Sequence, residues 1–226
     1  MVSRTQQHYL AELYRLQQDC AGYVSLSTWA DTVNASLQAA SRMVRRLKDA
    51  GLVEHEPYQG VLLTAEGERQ ALPAIRRHRL IEAFLVRVMG FGWDEAHELT
   101  DQMELGVNQM IEDRMDALAG FPTRCPHGEP IPSRDGIMPT LRDVCLLELA
   151  PQSEARMSRV RTRDAEMLRY IAHLGLVPGT EFVYLSQAPF RGPLRLSFHK
   201  QEHVIGNELA GSLWVEPIGW NVGQIA

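Results

Sequence analysis

The spacing of apolar positions predicts a series of helices at the start of the chain. Over residues 6–19, apolar side chains recur every three or four positions, which is the spacing of one helical face. The stretch 35–52 shows the same pattern, with Ser36 as its predicted N-cap, and within 25–34 Ser27 is predicted to cap a short helix running to about Val33. The N-terminal region is therefore expected to hold three short helices.

A hairpin and two long helices are predicted next. The segments 52–56 and 61–64 flank the sequence PYQG, which has the turn chemistry of a β-hairpin. Residues 66–91 then form one amphipathic pattern, with a perturbation expected at Pro73, and residues 94–121 form another. The apolar residues of these two helices exceed what the pair can bury alone, which predicts a homodimer interface.

The order of helices and hairpin is that of a winged helix-turn-helix. In this fold the second helix of the motif enters the major groove, and the hairpin lies along the DNA backbone. Residues 41–48 of the predicted recognition helix, SRMVRRLK, hold four positive charges and no negative one, although the whole chain has a net charge of −5. We therefore expect binding to double-stranded DNA. A salt bridge back to the protein remains an equal alternative for Arg45 and Arg46.

The rest of the chain predicts a change of fold class. Residues 121–142 are rich in Pro and Gly, and short apolar runs then alternate with turn residues around one short helix. The predicted fold is mainly α with a small β module, an SH3-like barrel at the C-terminus. The predicted domains are a DNA-binding domain at 1–73, a helical dimerisation domain at 74–142 and a barrel at 143–226.

Composition favours a cytoplasmic protein. No apolar run approaches the roughly 20 residues that span a bilayer, and the polar N-terminus is unlike a secretory signal. The cysteines Cys20, Cys125 and Cys145 are odd in number and far apart, which fits a reducing compartment. Cys125 and His127 lie two residues apart in RCPHGEPIP. Since no second pair is near, the segment is interpreted as a rigid connection.

Histidines and acidic residues are spaced along three of the predicted helices so that they share a face. These residues are His8 and Glu12, His78 and Glu82, and His97, Asp101 and Glu104. Side chains one turn apart can reach a single cation, but a solvated charged face is an equally open interpretation. If a metal binds, donors of oxygen and nitrogen without sulfur favour Mn²⁺ first and Fe²⁺ next, with Zn²⁺, Co²⁺ and Cd²⁺ expected to bind in vitro.

Together these segments resemble the diphtheria toxin repressor family of iron- and manganese-dependent transcriptional regulators. The resemblance rests on HYLAELYRL, VRRLKDAGLVEHEPYQGVLLTAEGE, RRHRLIEAFL, the acidic stripe and CPHGEPIP, and it covers residues 5–142. GLVPGTEF and NELAGSLWV in the tail resemble the SH3-like domain of the longer members. The resemblance implies a homodimer that binds palindromic operator DNA when loaded with a divalent metal.

The resemblance also implies which residues bind the metal. The ancillary set corresponds to His78, Glu82 and His97, and the primary set to His8, Asp101 and Glu104; Asp164 and Glu166 lie where the SH3-like domain adds ligands. The chain departs from the family at Leu105, where members have a histidine. We therefore expect a primary site of altered composition, in which His8 is a candidate replacement.

For DNA, the resemblance assigns positions on the motif and on the wing. The recognition helix matches at Ser36, Gln38, Ala39, Ser41, Arg42, Arg45 and Arg46, and the candidate phosphate contacts are Ser27, Thr28, Tyr58 and Gln59. Early residues of a recognition helix reach base edges, and arginines bind guanine edges or phosphates.

The predicted function is a metal-dependent, manganese-responsive repressor that controls genes of metal homeostasis. An iron-responsive repressor and a winged-helix regulator of a non-metal ligand are the alternatives. A metallohydrolase is a weaker alternative, because the sequence has no HExxH arrangement and no obvious unliganded base beside the donors. No enzyme activity, membrane partner or small organic substrate is expected.

Overall fold

The computed structural model describes residues 2–20 and 22–219. The chain forms two compact units. The first comprises Met1–His78, Glu104–Asn108 and Ile131–Pro139. The second comprises Arg79–Met103, Gln109–Pro130 and Thr140–Ala226. Both units are built from segments that are far apart in the sequence, so each brings distant side chains together.

The first unit contains the helices and the hairpin of a winged helix-turn-helix. Its elements are α1 (Arg4–Asp19), α2 (Leu26–Thr32), α3 (Leu37–Asp49), β1 (Val53–Glu56), β2 (Gly60–Leu63) and the N-terminal part of α4 (Ala65–Arg87). The hairpin is antiparallel, and Val24 adds a bridge to Val61 at its edge. This order confirms the predicted fold of the N-terminal region.

Caps and apolar faces explain why these helices form where they do. Ser3 caps α1 in a capping box with Gln6, and Ser36 caps α3 as predicted. The N-cap of α2 is Ser25, so the prediction of Ser27 was wrong by two residues. Trp29 is fully buried and donates its indole N–H to the carbonyl oxygen of Tyr9 at 3.0 Å, which ties α2 to α1.

One of the two long helices differs from the prediction. Helix α4 is a single helix that contains Pro73, whose missing backbone N–H removes one helical hydrogen bond. The pattern at 94–121 forms two helices, α5 (Trp93–Met103) and α6 (Gln109–Leu118), not one. The sequence ELGVNQ between them contains a glycine and an asparagine, which favour a helix end and a helix start respectively.

The second unit contains a six-stranded antiparallel sheet. Its strands are β3 (Val144–Cys145), β4 (Ser153–Val160), β5 (Glu181–Gln187), β6 (Leu194–Phe198), β7 (Gln201–Ile205) and β8 (Leu213–Pro217), in the spatial order β3-β8-β4-β5-β6-β7. Helices α7 (Ala165–Leu174) and α8 (Asn207–Gly211) accompany it. The sheet confirms the predicted small β module.

Two details of this module go beyond the apolar pattern. The apolar segment VCLLEL forms a strand at Val144–Cys145 and continues as a 3-10 turn over Leu146–Glu148. Strand β7, Gln201–Ile205, has few apolar positions and depends on pairing with β6. The helices of the described residues are all too short or too polar to cross a membrane.

Candidate metal centres and nucleic-acid interface

A first set of donors lies in the first unit and is centred on Glu104. The carboxylate oxygens of Glu104 lie 3.1 Å from Nδ1 of His8, on α1, and 3.0 Å from Nδ1 of His78, on α4. Glu104 follows the end of α5, so it is not part of a helical stripe with His97 and Asp101 as the sequence predicted. The side chain of His78 is almost fully buried, whereas that of His8 is partly exposed.

Glu104 and His8 stabilise each other's charged forms. Burial would raise the pKa of Glu104, but hydrogen bonds from His78 and His8 hold it well below its usual range. In turn, the hydrogen bond to Glu104 raises the pKa of His8 above 6.5, although burial opposes the charge. Glu12, which the sequence placed beside His8, forms an ion pair with Arg15. The first set is thus a carboxylate between two imidazoles, which matches the ligand chemistry of Mn²⁺ and Fe²⁺.

A second set lies in the second unit and consists of Glu82, Cys125 and His127. One donor atom from each lies within 4.8 Å of the others, and all three residues are buried. A carboxylate oxygen of Glu82 is 3.5 Å from Nδ1 of His127, and the same nitrogen is 4.0 Å from Sγ of Cys125. A buried carboxylate, thiol and imidazole this close together are typical of a metal site.

Neighbouring groups orient the imidazole of His127 toward the other two donors. Its Nε2 lies 2.8 Å from the carbonyl oxygen of Trp93, which can only accept, so Nε2 carries a proton. The Trp93 ring also stacks on the imidazole, with centroids 5.5 Å apart. Nδ1 therefore faces Glu82 and Cys125 and can donate its lone pair to a cation, as metal-binding histidines do.

In the metal-free protein a proton supplies the positive charge of this second set. Burial disfavours the imidazolium, but the charge of Glu82 and the hydrogen bonds to Cys125 and Glu82 together outweigh it and raise the pKa of His127 to about 11. Burial raises the pKa of the Cys125 thiol as well. A cation that binds here would displace both protons, since its ligands are the thiolate and the neutral imidazole.

The remaining predicted ligands take various places in the second unit. His97 contacts the same Glu82 oxygen through Nδ1 at 3.0 Å, and its Nε2 is 3.9 Å from Asp101. Asp164 is the N-cap of α7, where its carboxylate accepts hydrogen bonds from the backbone of Glu166 and Met167. The assignment of Asp164 and Glu166 as metal ligands stays a prediction.

Sequence reasoning set aside two donors that the structure brings together with Glu82. Cys125 and His127 had been interpreted as part of a rigid connection, because no second pair of ligands lies near them in the sequence. Their partner comes from α4 instead, through a contact between distant segments. The Cys-x-His spacing was the signal of a metal site that the sequence offered. The sequence alone did not show which helix packs against this pair.

The predicted nucleic-acid interface lies on α3 and on the hairpin. Gln38, Arg42, Arg45 and Arg46 are exposed, whereas Ala40, Val44 and Leu47 on the opposite face of the helix are buried. Ser41 and Ala39 are half-buried, and Ser36 uses its hydroxyl to cap the helix. Ser27 and Thr28 are exposed on α2, where they hydrogen bond to the capping Ser25.

The arginine side chains of α3 are exposed to solvent. Among the side chains that the structure describes, none forms an ion pair with Arg42, Arg45 or Arg46. For Arg45 and Arg46 the structure thus favours the DNA interpretation over the salt bridge. Tyr58 and Gln59 lie exposed at the turn of the hairpin, as expected of a wing.

Comparisons with known proteins agree with this arrangement. Residues 1–61 match the family model of the N-terminal DNA binding domain of iron dependent repressors. Residues 64–133 match the model of the metal binding and dimerisation domain of iron dependent repressors. Residues 144–217 match the model of the FeoA domain. A solved structure described as a manganese-dependent transcriptional repressor in complex with manganese is 33% identical, with a TM-score of 0.86, and the match covers 94% of this chain and 100% of that one. The chain belongs to the diphtheria toxin repressor family.

Sequence relatives of this family differ in how much they share with the chain. The iron-dependent repressor IdeR of Mycobacterium leprae is 31% identical over 129 residues, which is 57% of this chain and 55% of IdeR. The diphtheria toxin repressor of Corynebacterium glutamicum is 24% identical over 225 residues, or 95% of this chain and 96% of the relative. The chain thus spans about half of IdeR and nearly all of the second family member.

Proposed function

We propose that this protein is a metal-dependent DNA-binding transcriptional repressor that acts as a homodimer on palindromic operators in the cytoplasm. Mn²⁺ is the proposed activating metal, and genes of metal-ion homeostasis are the proposed targets. The proposed ligands are His8, His78 and Glu104 in one set, and Glu82, Cys125 and His127 in the other. His97, Asp101, Asp164 and Glu166 are proposed as additional ligands.

The observation that carries this proposal is the buried set of Glu82, Cys125 and His127. Burying ionisable groups together is costly unless a charge compensates them, and a divalent cation would do so. When bound, the metal supplies a positive charge that the carboxylates and the thiolate share. In a repressor of this kind, metal and operator must bind preferentially to the same conformation of the protein, so that each strengthens binding of the other.

The chemistry of the donors supports Mn²⁺ as the metal of the first set. In the second set it allows other divalent metals. Oxygen and imidazole donors suit Mn²⁺, and a structural relative is described as manganese-dependent. Cys125 adds a soft thiolate, which the sequence-based preference for manganese did not include and which favours Fe²⁺, Zn²⁺ or Co²⁺. An iron-responsive repressor is therefore the second candidate, consistent with the names of the sequence relatives.

Exposed apolar side chains support the proposed homodimer. Several residues of the predicted surplus, including Ile75, Leu80 and Ile81, are buried within the chain itself. Others stay accessible: Met110 is 80% exposed and Phe121, just beyond the end of α6, is 67% exposed. This part of the chain matches the family's metal binding and dimerisation domain. Dimerisation would remove these side chains from water.

The test is binding of the full-length protein to its own promoter DNA. Metal-free protein is prepared with a chelator, and gel-shift affinity is then measured with Mn²⁺, with Fe²⁺ under anaerobic conditions, and with Zn²⁺, Co²⁺ or Cd²⁺. We expect tight binding with Mn²⁺, loss of binding with chelator and recovery on re-addition of the metal.

Two other outcomes would support the alternative functions. Recovery by Fe²⁺ alone, at concentrations where Mn²⁺ has no effect, would support the iron-responsive repressor. Operator binding that does not change with chelator would contradict the metal-dependent mechanism and favour a winged-helix regulator of a non-metal ligand.

A further inference from the structure

Glu129 joins three parts of the second unit close to the second donor set. It lies two residues after His127, and its carboxylate binds two arginines with its two different oxygens. Oε2 accepts a hydrogen bond from Arg79 of α4 at 2.9 Å, and Oε1 accepts one from Arg159 of β4 at 3.0 Å. We call Glu129, Arg79 and Arg159 the charge clamp. It connects the helix that carries Glu82, the loop that carries Cys125 and His127, and the FeoA domain.

The clamp holds a loop whose backbone is also fixed. The amide of Gly128 donates to the carbonyl of Cys125 at 2.9 Å, and the amide of Cys125 donates to the carbonyl of Glu129 at 2.9 Å. The carbonyl of His127 accepts from the amide of Val160, at the end of β4, at 2.8 Å. The first two bonds close the loop on itself, and the third attaches it to β4 of the FeoA domain.

Gly128 allows the loop to approach β4 this closely. Its φ is +87°, a conformation that side chains disfavour, and a Cβ atom there would lie 2.1 Å from the carbonyl oxygen of Ser158. Any other residue would push the loop away from the strand. The close approach of this loop to β4 therefore depends on Gly128, next to the donor His127.

Each arginine of the clamp has further partners that fix its position. Arg159 binds both oxygens of the buried Asp143, at 2.8 and 3.1 Å, and stacks over the ring of Trp214, 4.5 Å from its centroid. Arg79 also donates to the carbonyl of Pro130 at 2.6 Å. Glu129 therefore meets two guanidinium groups that other partners hold in place, and a third, that of Arg161, lies farther off, with Nε 4.0 Å from Oε1 of Glu129.

Glu129 is itself a poor candidate for a metal ligand. Both of its oxygens already accept charge-assisted hydrogen bonds from guanidinium groups. Its carboxylate is also outside the described clusters in which donor atoms lie within 4.8 Å of one another. The carboxylate of Glu129 is therefore committed to Arg79 and Arg159.

We propose that Glu129 is a positioning residue for metal binding at the second set. Through Arg79 and Arg159 it holds Cys125 and His127 against Glu82. Metal affinity at this set then depends on strand β4 of the FeoA domain, even though the three donors lie outside that strand. The proposal rests on the proposed function, in that Glu82, Cys125 and His127 bind the metal.

The test is a titration of the metal-free, full-length protein with Co²⁺. A cysteine ligand produces a thiolate-to-cobalt charge-transfer band in the near ultraviolet. The first set contains no cysteine, and the part of the band that depends on Cys125 reports binding at the second set. Cys125→Ser should abolish it. Glu129→Gln keeps the shape of the side chain and removes its charge. We expect the band to remain and its midpoint to shift to at least tenfold higher Co²⁺, as for loss of other outer partners of metal ligands.

The matched control is Glu181→Gln. Glu181 forms an exposed ion pair with Arg156, which is also on β4, at 2.7 Å. This variant makes the same change of charge in the same domain, away from the loop. Its Co²⁺ midpoint should equal that of the unmodified protein.

The outcomes separate the two proposals. An unchanged Co²⁺ midpoint in Glu129→Gln overturns the clamp and leaves the proposed function intact, even if the variant unfolds at a lower temperature. Absence of the band in the unmodified protein shows that Cys125 is no ligand, and both proposals for this set then fail. Should Glu129→Gln not fold, Arg159→Lys keeps the charge but cannot bind Asp143 and Glu129 together. An unchanged midpoint in that variant overturns the clamp as well.

Discussion

Glu104 shows how one residue can organise a site. Its two oxygens lie within hydrogen-bond distance of two imidazoles that come from different helices. His8 is one of them, and that it replaces the histidine expected at Leu105 stays a prediction. In the metal-free protein the low pKa of Glu104 keeps its carboxylate charged, and the hydrogen bond to Glu104 raises the pKa of His8. Protonation and metal binding at this set are therefore linked.

Replacing Glu104 should uncouple operator binding from metal. Glu104→Gln keeps the size of the side chain but removes the anionic donor shared by His8 and His78. We expect metal affinity at this set to fall at least about 10- to 100-fold, the range seen for loss of an outer partner of a ligand. Gel shifts over a range of Mn²⁺ would measure it. Glu98→Gln, at an exposed position on α5, is the matched control, and equal Mn²⁺ responses in both variants would refute the assignment.

Metal binding at the first set should strengthen as pH rises. The hydrogen bond to Glu104 raises the folded pKa of His8 above 6.5, so the stability it contributes is present below pH 6.5 and is lost as pH rises through the raised pKa. A metal needs the neutral imidazole, so below that raised pKa it must displace a proton. Calorimetry in two buffers of different ionisation enthalpy measures the proton release. We expect His8→Gln to release fewer protons, and equal release would contradict the role of His8.

At the scale of elements, the ends of helices decide which side chains meet. Helix α5 ends at Met103, so Glu104 leaves the face on which the sequence placed it with His97 and Asp101. Helix α4 carries both His78 and Glu82, and these two residues belong to different donor sets. Helix α3 needs no such rearrangement, because its buried and exposed faces follow the sequence pattern directly.

The exposed arginines of α3 should contribute to operator affinity through phosphates. Because Arg45 and Arg46 have no described ion-pair partner, their charges are available to DNA. Replacing either by Ala should weaken operator binding and reduce the slope of log affinity against log salt by about 1. Metal affinity and the unfolding temperature should not change.

Arg156→Ala is the control for these variants, since Arg156 is an exposed arginine of the FeoA domain. Salt slopes equal to that of the unmodified protein for both Arg45→Ala and Arg46→Ala would show that α3 does not bind the backbone through them.

At the scale of the whole molecule, the chain leaves apolar surface that it does not cover itself. Met110, Leu118 and Phe121 are exposed in the part of the chain that matches the dimerisation domain. A winged helix that binds a palindrome needs two copies related by a two-fold axis. Dimerisation would therefore serve both the burial of this surface and the recognition of two half-sites.

A charge on this surface should dissociate the proposed dimer. Met110→Glu places a carboxylate on a side chain that is 80% exposed in the monomer, so the folded monomer should tolerate it. We expect sedimentation equilibrium to show monomers and operator affinity to fall sharply. The control is Phe190→Glu, a fully exposed aromatic residue between β5 and β6. A Met110→Glu variant that remains dimeric would place the interface elsewhere.

The sequence by itself determined the local elements and the family. Helical periodicity, the cap at Ser36, the hairpin turn and the basic face of α3 all depend on residues a few positions apart, so local physics is sufficient to predict them. The order of these elements then indicated a winged helix-turn-helix, a helical region and a small β module.

Only the tertiary structure decided which donors meet. Glu82 with Cys125 and His127, and Glu104 with His8 and His78, are contacts between segments that are distant in the sequence. Periodicity cannot reveal them, because it reports which face of a helix is buried and not what lies against that face. For the same reason the Cys-x-His pair was predicted to be a connection. The positioning role proposed for Glu129 follows only from its contacts with Arg79 and Arg159 in the folded chain.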